Sequence, residues 1–319
     1  MVSCMSGQQR QTIYSTYEFL GVLFIWCEQD FYPGGERRLG AVDLEVQREA
    51  VTGTPICRSS SLKGALRAFF KLQRASAGVD ENEIFGDQNR AGAIEFQKAG
   101  ILLYPVQSYI GLFAYITSPY QLREYWINNL RNGRVQNVDV LESKLQSLEG
   151  KLDGKKAIIT KDSIFRNTDI VLYKGEFIFK SDTCEPSEDL DSILNELLRQ
   201  AIPKVNENVF TGYSYIKSKI EKSAILVSNQ TFRNIVNRTL PRITRIRIQS
   251  ETKTVEKGGL FIQEFIPKHT LLATGLYKAI RYNNGTQINN FKSAIQNALV
   301  NVGGSETVGY GMIRLVIYP

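Results

Sequence analysis

The chain is poor in the residues on which most familiar enzyme chemistry rests. Among 319 residues there is one histidine, His269, and four scattered cysteines: Cys4, Cys27, Cys57 and Cys184. One imidazole cannot build a multi-histidine metal site, and a histidine-dependent triad would have to use His269 itself. No C-x-x-C pair occurs, which disfavours a thiolate zinc site or a redox motif. Cys27 and Cys57, in apolar company, read as buried thiols in a reducing compartment. G-x-x-x-x-G-K-[ST] and G-x-G-x-x-G are both missing, which excludes a Walker-type NTPase and a dinucleotide-binding loop. The longest apolar run near the start, Phe19 to Trp26, is too short to span a bilayer. The N-terminus, rich in Gln and Ser, lacks the basic start and apolar stretch of a signal peptide. These absences predict a soluble, cytoplasmic chain without a membrane partner.

What is present supports a large folded core, with 43% apolar and 22% charged residues. Lys and Arg number 39 against 32 acids, a net charge of +7. That excess suits a polyanion partner or an ordinary surface, so its clustering decides. Tyr17–Trp26 is aromatic and β-branched and predicts a buried strand; DFYPGGERRLG after it predicts a loop. Ser59-Ser60-Ser61 offers hydroxyl caps to a helix with a stripe at Leu62, Ala65, Leu66, Phe69 and Phe70. Strands are expected in 92–117, then a helix from Ser118-Pro119. In the polar and mixed stretch 131–191 only short strands are read, near 157–160, 170–173 and 176–179. A helix is expected over Asp191–Ile202, a strand over Ala224–Ser228, and a helix over Gln230–Arg238. The alternating runs Ile243–Ile248 and Leu260–Phe265 predict a hairpin. A helix is expected over Asn290–Val300, capped by Gly303-Gly304, and a last strand over Met312–Tyr318. Interleaved strands, helices and hairpins predict an α+β fold, and no repeat or low-complexity linker divides it.

Three segments and one aspartate could carry chemistry. Ser59–Gly64 joins hydroxyls, free backbone N–H groups and Lys63 into an anion site, although a plain N-cap has the same pattern. GGSETVGYGMIR, with Gly303, Gly304, Gly309 and Gly311, lets a backbone approach a phosphate chain, although a tight turn competes. RTLPRITRIR holds four arginines and no acid. Arg245 and Arg247, two apart on a strand, share one face while Ile246 and Ile248 take the other. Such a row suits backbone phosphates; a solvated strand face is the plain alternative. Asp43 lies near Arg37, Arg38 and Arg48, where a carboxylate could hold a divalent cation, orient a 2′-hydroxyl, or simply pair on the surface.

In order, six segments resemble the RAMP superfamily of CRISPR-associated proteins: LGAVDLEVQREAVTGTP (39–55), SSSLKGALR (59–67), IFGD (84–87), AGILLYPVQSYIGLFAYITSP (99–119), TRIRIQSETKTVEKGGLFIQEFIP (244–267) and GGSETVGYGMIRL (303–315). The combination is similar to the repeated backbone subunit of the type III-B (Cmr) effector complex. The resemblance implies a modified ferredoxin-like (RRM-like) palm with insertions in one domain over residues 17–319. It implies a β-hairpin thumb at about 240–267, and leaves residues 1–16 as an extension. It implies copies stacking along a CRISPR RNA beside other subunits, and metal-dependent cleavage of target RNA at regular intervals. Asp43 matches the family's catalytic aspartate and would hold Mg2+ or Mn2+. Arg48, Ser60, Ser61, Lys63, Arg245, Arg247, Gly303, Gly304, Gly309 and Tyr310 are the expected RNA contacts. Family members commonly carry a histidine in the loop before the aspartate; here that stretch is Tyr32-Pro33-Gly34-Gly35. Its absence leaves a non-catalytic, guide-binding scaffold as the alternative, and Tyr32 could substitute if the ring only shapes the loop or stacks on RNA.

Overall fold

The computed structural model describes residues 16–35, 42–72, 78–205, 208–209, 211–249, 251 and 254–319. The expected extension, Arg37 and Arg38 therefore lie outside the described residues, Thr16 excepted.

β1 (Tyr17–Cys27) is buried along nearly its whole length, as its unbroken apolar run requires. β2 (Ile56–Cys57) leads into α1 (Ser59–Leu72), which buries Leu62, Leu66 and Phe70. α2 (Glu81–Phe85), β3 (Ile94–Phe96), β4 (Ala99–Gln107) and β5 (Phe113–Thr117) follow. α3 (Pro119–Leu122) runs through one π-helical turn, Arg123–Ile127, into α4 (Asn128–Asn132). α5 (Val138–Glu149), absent from the expected elements, buries Val138, Leu141, Leu145 and Leu148. β6 (Ala157–Ile159), β7 (Ile170–Leu172), β8 (Phe177–Phe179) and β9 (Cys184–Pro186) precede α6 (Glu188–Ala201). After β10 (Lys204–Val205) and β11 (Asn208–Val209) come α7 (Thr211–Ser223), β12 (Ala224–Val227) and α8 (Asn229–Thr239). β13 (Arg242–Ile248) and β14 (Val255–Glu264) make the expected hairpin. β15 (Leu271–Ala279), α9 (Gly285–Ile295), β16 (Leu299–Asn301) and β17 (Met312–Tyr318) close the chain.

The main sheet is mixed, in the order β16-β17-β1-β15-β4-β5-β12-β6-β9, with β2 beside β4 and β3 beside β15. Helices cover both faces. α1, α2, α8 and α9 bury their apolar sides with Leu23, Ile25 and Cys27 of β1, while α3 to α7 pack against Val22, Phe24 and Trp26. The alternation of one strand thus feeds two cores. This mixed α/β architecture carries the expected elements with boundaries corrected: α6 starts at Glu188 instead of Asp191, and β14 at Val255 instead of Leu260. The last helix starts at Gly285 and ends at Ile295, so Leu299 belongs to β16 and Gly303-Gly304 is no helix cap. Asn297 turns left-handed (φ 61°) and its N–H donates to Leu315 O at 2.8 Å, which takes the chain off the helix and onto β17. Cys27 and Cys57 are buried free thiols, and burial pushes the Cys57 thiol up to about 12, so both are unreactive.

Candidate nucleic-acid interface

The hairpin β13–β14 stands outside the main sheet, and its base is where the candidate residues gather. The segment after Val42 lies along the free edge of β14. Asp43 and Leu44 donate their N–H groups to Ile262 O at 3.1 and 3.0 Å, and Glu264 N–H returns a bond to Leu44 O at 3.0 Å. The Asp43 carboxylate is fixed on the same strand, its Oδ2 accepting Ile262 N–H at 2.8 Å. Its Oδ1 has no partner among the described residues, and the side chain is half-buried. One oxygen therefore sets the rotamer while the other stays available.

Beneath this edge lies Glu264, 1% exposed. Its Oε2 accepts Arg48 Nη2 at 2.9 Å and its Oε1 accepts Arg242 Nε at 3.1 Å, with Val46 N–H at 3.4 Å from Oε2. Arg48 also donates to Asn237 Oδ1 (3.2 Å) and Val46 O (3.0 Å). Arg48 thus serves as an internal clamp between the Asp43 segment, the hairpin and α8. Glu264 was not singled out from the sequence. Only the strand register, which sets Arg242 opposite Glu264, reveals it.

The glycine-rich loop closes the other side. At Gly303 (φ +90°) an added Cβ would stand 1.9 Å from Tyr32 O, so the loop lies directly on the Tyr32–Pro33 backbone. Gly304 and Gly309 face open space. The Tyr310 ring stacks on Phe265 at 4.5 Å, and Tyr32 meets the same Phe265 edge-on at 6.2 Å. Arg245 donates to Gln263 Oε1 at 3.0 Å and to Ser305 Oγ, with its guanidinium over the Phe261 and Tyr310 rings. Its two hydrogen-bond acceptors are neutral oxygens, and no acid among the described residues pairs with its charge. Ser61 Oγ donates to Pro33 O at 2.7 Å, tying the start of α1 to the same loop. Asp43, Arg48, Ser61, Arg245, Gly303 and Tyr310 therefore belong to one surface. Ser60 and Lys63 line a cleft on another side of α1. The side chain of Arg247 lies outside the described residues.

Tyr32 is 9% exposed. Buried against Phe265, its ring shapes the loop and is not free to stack on RNA, and burial pushes the phenol above its ordinary value. It is no proton acceptor at neutral pH. Nor do the residues around Asp43 fit a metal held by the chain alone. No group of three or more His, Cys, Asp or Glu side chains among the described residues could hold an ion. One carboxylate with Oδ2 already bonded is a small share of an octahedral oxygen shell.

The fold and the clustered site define a class: the RAMP superfamily model matches residues 27–314, and the chain belongs to that family. Among its relatives, the CRISPR system Cmr endoribonuclease Cmr4 of Pyrococcus furiosus is 28% identical over 297 residues, covering 90% of this chain and 91% of the relative. The CMR subunit Cmr4 of Saccharolobus solfataricus is 25% identical over 287 residues, covering 86% and 88%. Oligomeric Cmr4 from P. furiosus shares the fold with a TM-score of 0.67 at 24% identity, over 95% of this chain and 99% of that one. A chain of the type III-B Cmr-beta complex bound to cognate target RNA matches with a TM-score of 0.70 at 20% identity, over 95% and 98%. No helix among the described residues is long and apolar enough to cross a membrane.

Proposed function

We propose that this chain is the repeated backbone subunit of a cytoplasmic type III-B ribonucleoprotein. Copies of it lie along a guide CRISPR RNA beside other subunits and cleave the paired target RNA at regular intervals, with Asp43 as catalytic residue. The observation that carries this reading is the Asp43 carboxylate, held on the hairpin by Ile262 N–H through Oδ2, with no partner to Oδ1 among the described residues. The P. furiosus relative's name, an endoribonuclease, supports it. We read β1, β4, β15 and β17 as the ferredoxin-like palm. Its support is their all-antiparallel order β17-β1-β15-β4, with α1 following β1 and α9 following β15.

The hairpin acts as the thumb. Ile246, Ile248, Val255 and Leu260 are each more than half exposed, and the register pairs Ile246 with Leu260 and Ile248 with Val255. An apolar face on a narrow hairpin can wedge between base steps and displace a nucleotide. Unstacked, that nucleotide can bring its 2′-hydroxyl in line with its own phosphorus. The 2′-oxygen attacks phosphorus as the bond to the 5′-oxygen breaks, leaving a 2′,3′-cyclic phosphate and a 5′-hydroxyl. Asp43 Oδ1 accepts the hydrogen of the 2′-hydroxyl, and water protonates the leaving oxygen. A carboxylate is a weak base for this step, so its contribution is chiefly orientation. Arg245 faces the charge on the phosphoryl oxygens. A divalent ion would be held mainly by RNA phosphates with at most the Asp43 carboxylate from this chain and would supply charge neutralisation, and the steps assigned to the chain do not pass through it.

The test is cleavage of an end-labelled, guide-matched RNA by the reconstituted complex, wild type beside Asp43→Ala, with assembly confirmed for both. Evenly spaced products from wild type alone are expected. Intact RNA in both lanes, despite guide and target binding, would leave the chain a scaffold.

A further inference from the structure

On the side of α1 that carries Ser60 and Lys63 is a cleft of about 550 Å3, closed by the 86–92 loop and by Arg281 beyond β15. The loop is tightly built. Asp87 N–H donates to Arg90 O at 2.8 Å, and Asp87 Oδ1 accepts the N–H groups of Asn89 and Arg90 at 2.8 and 2.9 Å. At Gly86 (φ +83°) an added Cβ would stand 2.6 Å from Gly92 N. This accounts for the IFGD segment, which the catalytic reading leaves unused: its glycine and aspartate form the turn that holds Arg90 at the cleft.

The cations that line the cleft differ in what they are free to do. Arg67 is committed to Glu81 at 2.6 Å and to Asn82 at 3.1 Å. Lys63, Arg90 and Arg281 have no acidic partner within salt-bridge distance among the described residues. Phe85 and Phe96, 2% and 7% exposed, belong to the core behind the cleft, and Asp87 and Glu95 share its lining with the cations. Three cations without an acidic partner among the described residues, in a space large enough for one nucleotide, match a phosphodiester.

We propose that this cleft is a phosphate subsite for the guide strand: Arg90 and Arg281 take the phosphate that follows the one at the α1 start. The proposal rests on the reading of this chain as a guide-binding subunit. Continuity favours a single RNA strand as the occupant, because Lys63 and Ser60 sit on the helix whose Ser61 is bonded to the loop of the Asp43 site.

The experiment measures binding of a labelled single-stranded guide RNA to the full chain between 50 and 300 mM salt. Arg90→Ala with Arg281→Ala should lower the slope of log K against log salt by about 0.7, the share of the one phosphate no longer neutralised. Arg90→Lys with Arg281→Lys keeps both charges and should keep the wild-type slope. A wild-type slope in the alanine pair overturns the subsite; so does an equal fall in the lysine pair, which would mark a disturbed loop. Cleavage separates the two readings. If wild type cuts target while the alanine pair keeps its slope, only the subsite fails. If wild type does not cut and the slope still falls by about 0.7, the subsite stands and the nuclease reading fails.

Discussion

Glu264 offers the sharpest perturbation, because it is almost fully buried and joins three segments of the site. Glu264→Ala strips Arg48 and Arg242 of their shared carboxylate. Removing one partner of a buried ion pair costs about 3–5 kcal/mol, most of it from the charge left behind. Here the arginines are not sealed: Arg48 is 25% exposed and Arg242 50% exposed, so water recovers part of the loss. A destabilisation of about 2–3 kcal/mol follows, near 3–4.5 °C in Tm for a chain of this size. Cleavage should suffer more. Val46 N–H loses its approach to Oε2, and the Asp43 segment keeps only its bonds to the β14 backbone. A displacement of about 1 Å at a reacting group costs on the order of 100-fold in rate. Thermal melting of the free chain and single-turnover cleavage by the complex read the two effects separately. Glu264→Leu with Arg48→Met, a nearly volume-matched apolar pair, should recover most of the Tm. Wild-type melting and wild-type cleavage in Glu264→Ala would refute this account of the buried carboxylate.

Four other outcomes are expected. Gly303→Ala forces a Cβ onto Tyr32 O at a φ that suits glycine, and should lower stability by about 1–3 kcal/mol in denaturant titration. Tyr32→His should change the cleavage rate less than threefold, since the ring at this position packs on Phe265; a tenfold rise would put position 32 at the reacting atoms. Arg245→Ala with Arg247→Ala should flatten the salt dependence of RNA binding, and an unchanged slope would remove Arg245 from the phosphate contacts. His269, stacked on Phe113, has its pKa lowered first by burial and then by Lys268. The unfolded chain then binds the proton more readily. Stability is full above about pH 6.5 and falls as pH drops from there through the folded-state pKa, a slope His269→Gln should abolish in melts between pH 5 and 7.

The site was more legible than parts of the scaffold, for a physical reason. Where a backbone must touch another backbone, only glycine serves, so Gly303 announces itself in the sequence; where a strand must carry charge on one face, the arginines alternate. Glu264 carries no such mark. One acid between Gln263 and Phe265 reads as a solvated strand position until the hairpin register sets Arg242 across from it. β15 escapes the apolar pattern because Thr274 and Gly275 interrupt its run, yet Gly275 is demanded by packing. A Cβ at Gly275 would stand 2.3 Å from Asn129 Oδ1, so it is the approach of α4 that requires glycine there. α5 was legible and overlooked, since Val138, Leu141, Leu145 and Leu148 keep helical spacing within a polar stretch. Local rules thus mark residues proposed to meet RNA and those that touch a neighbouring backbone, and miss those whose partner comes from elsewhere in the chain. The aspartate lies between these cases. Its place in the chain pointed to Asp43, but its restraint by Ile262 N–H, 219 residues away, exists only in the fold. Asp43→Asn, which can still accept that bond through its amide oxygen while its amide nitrogen cannot take the 2′-hydroxyl hydrogen, should therefore keep guide and target binding and lose cleavage.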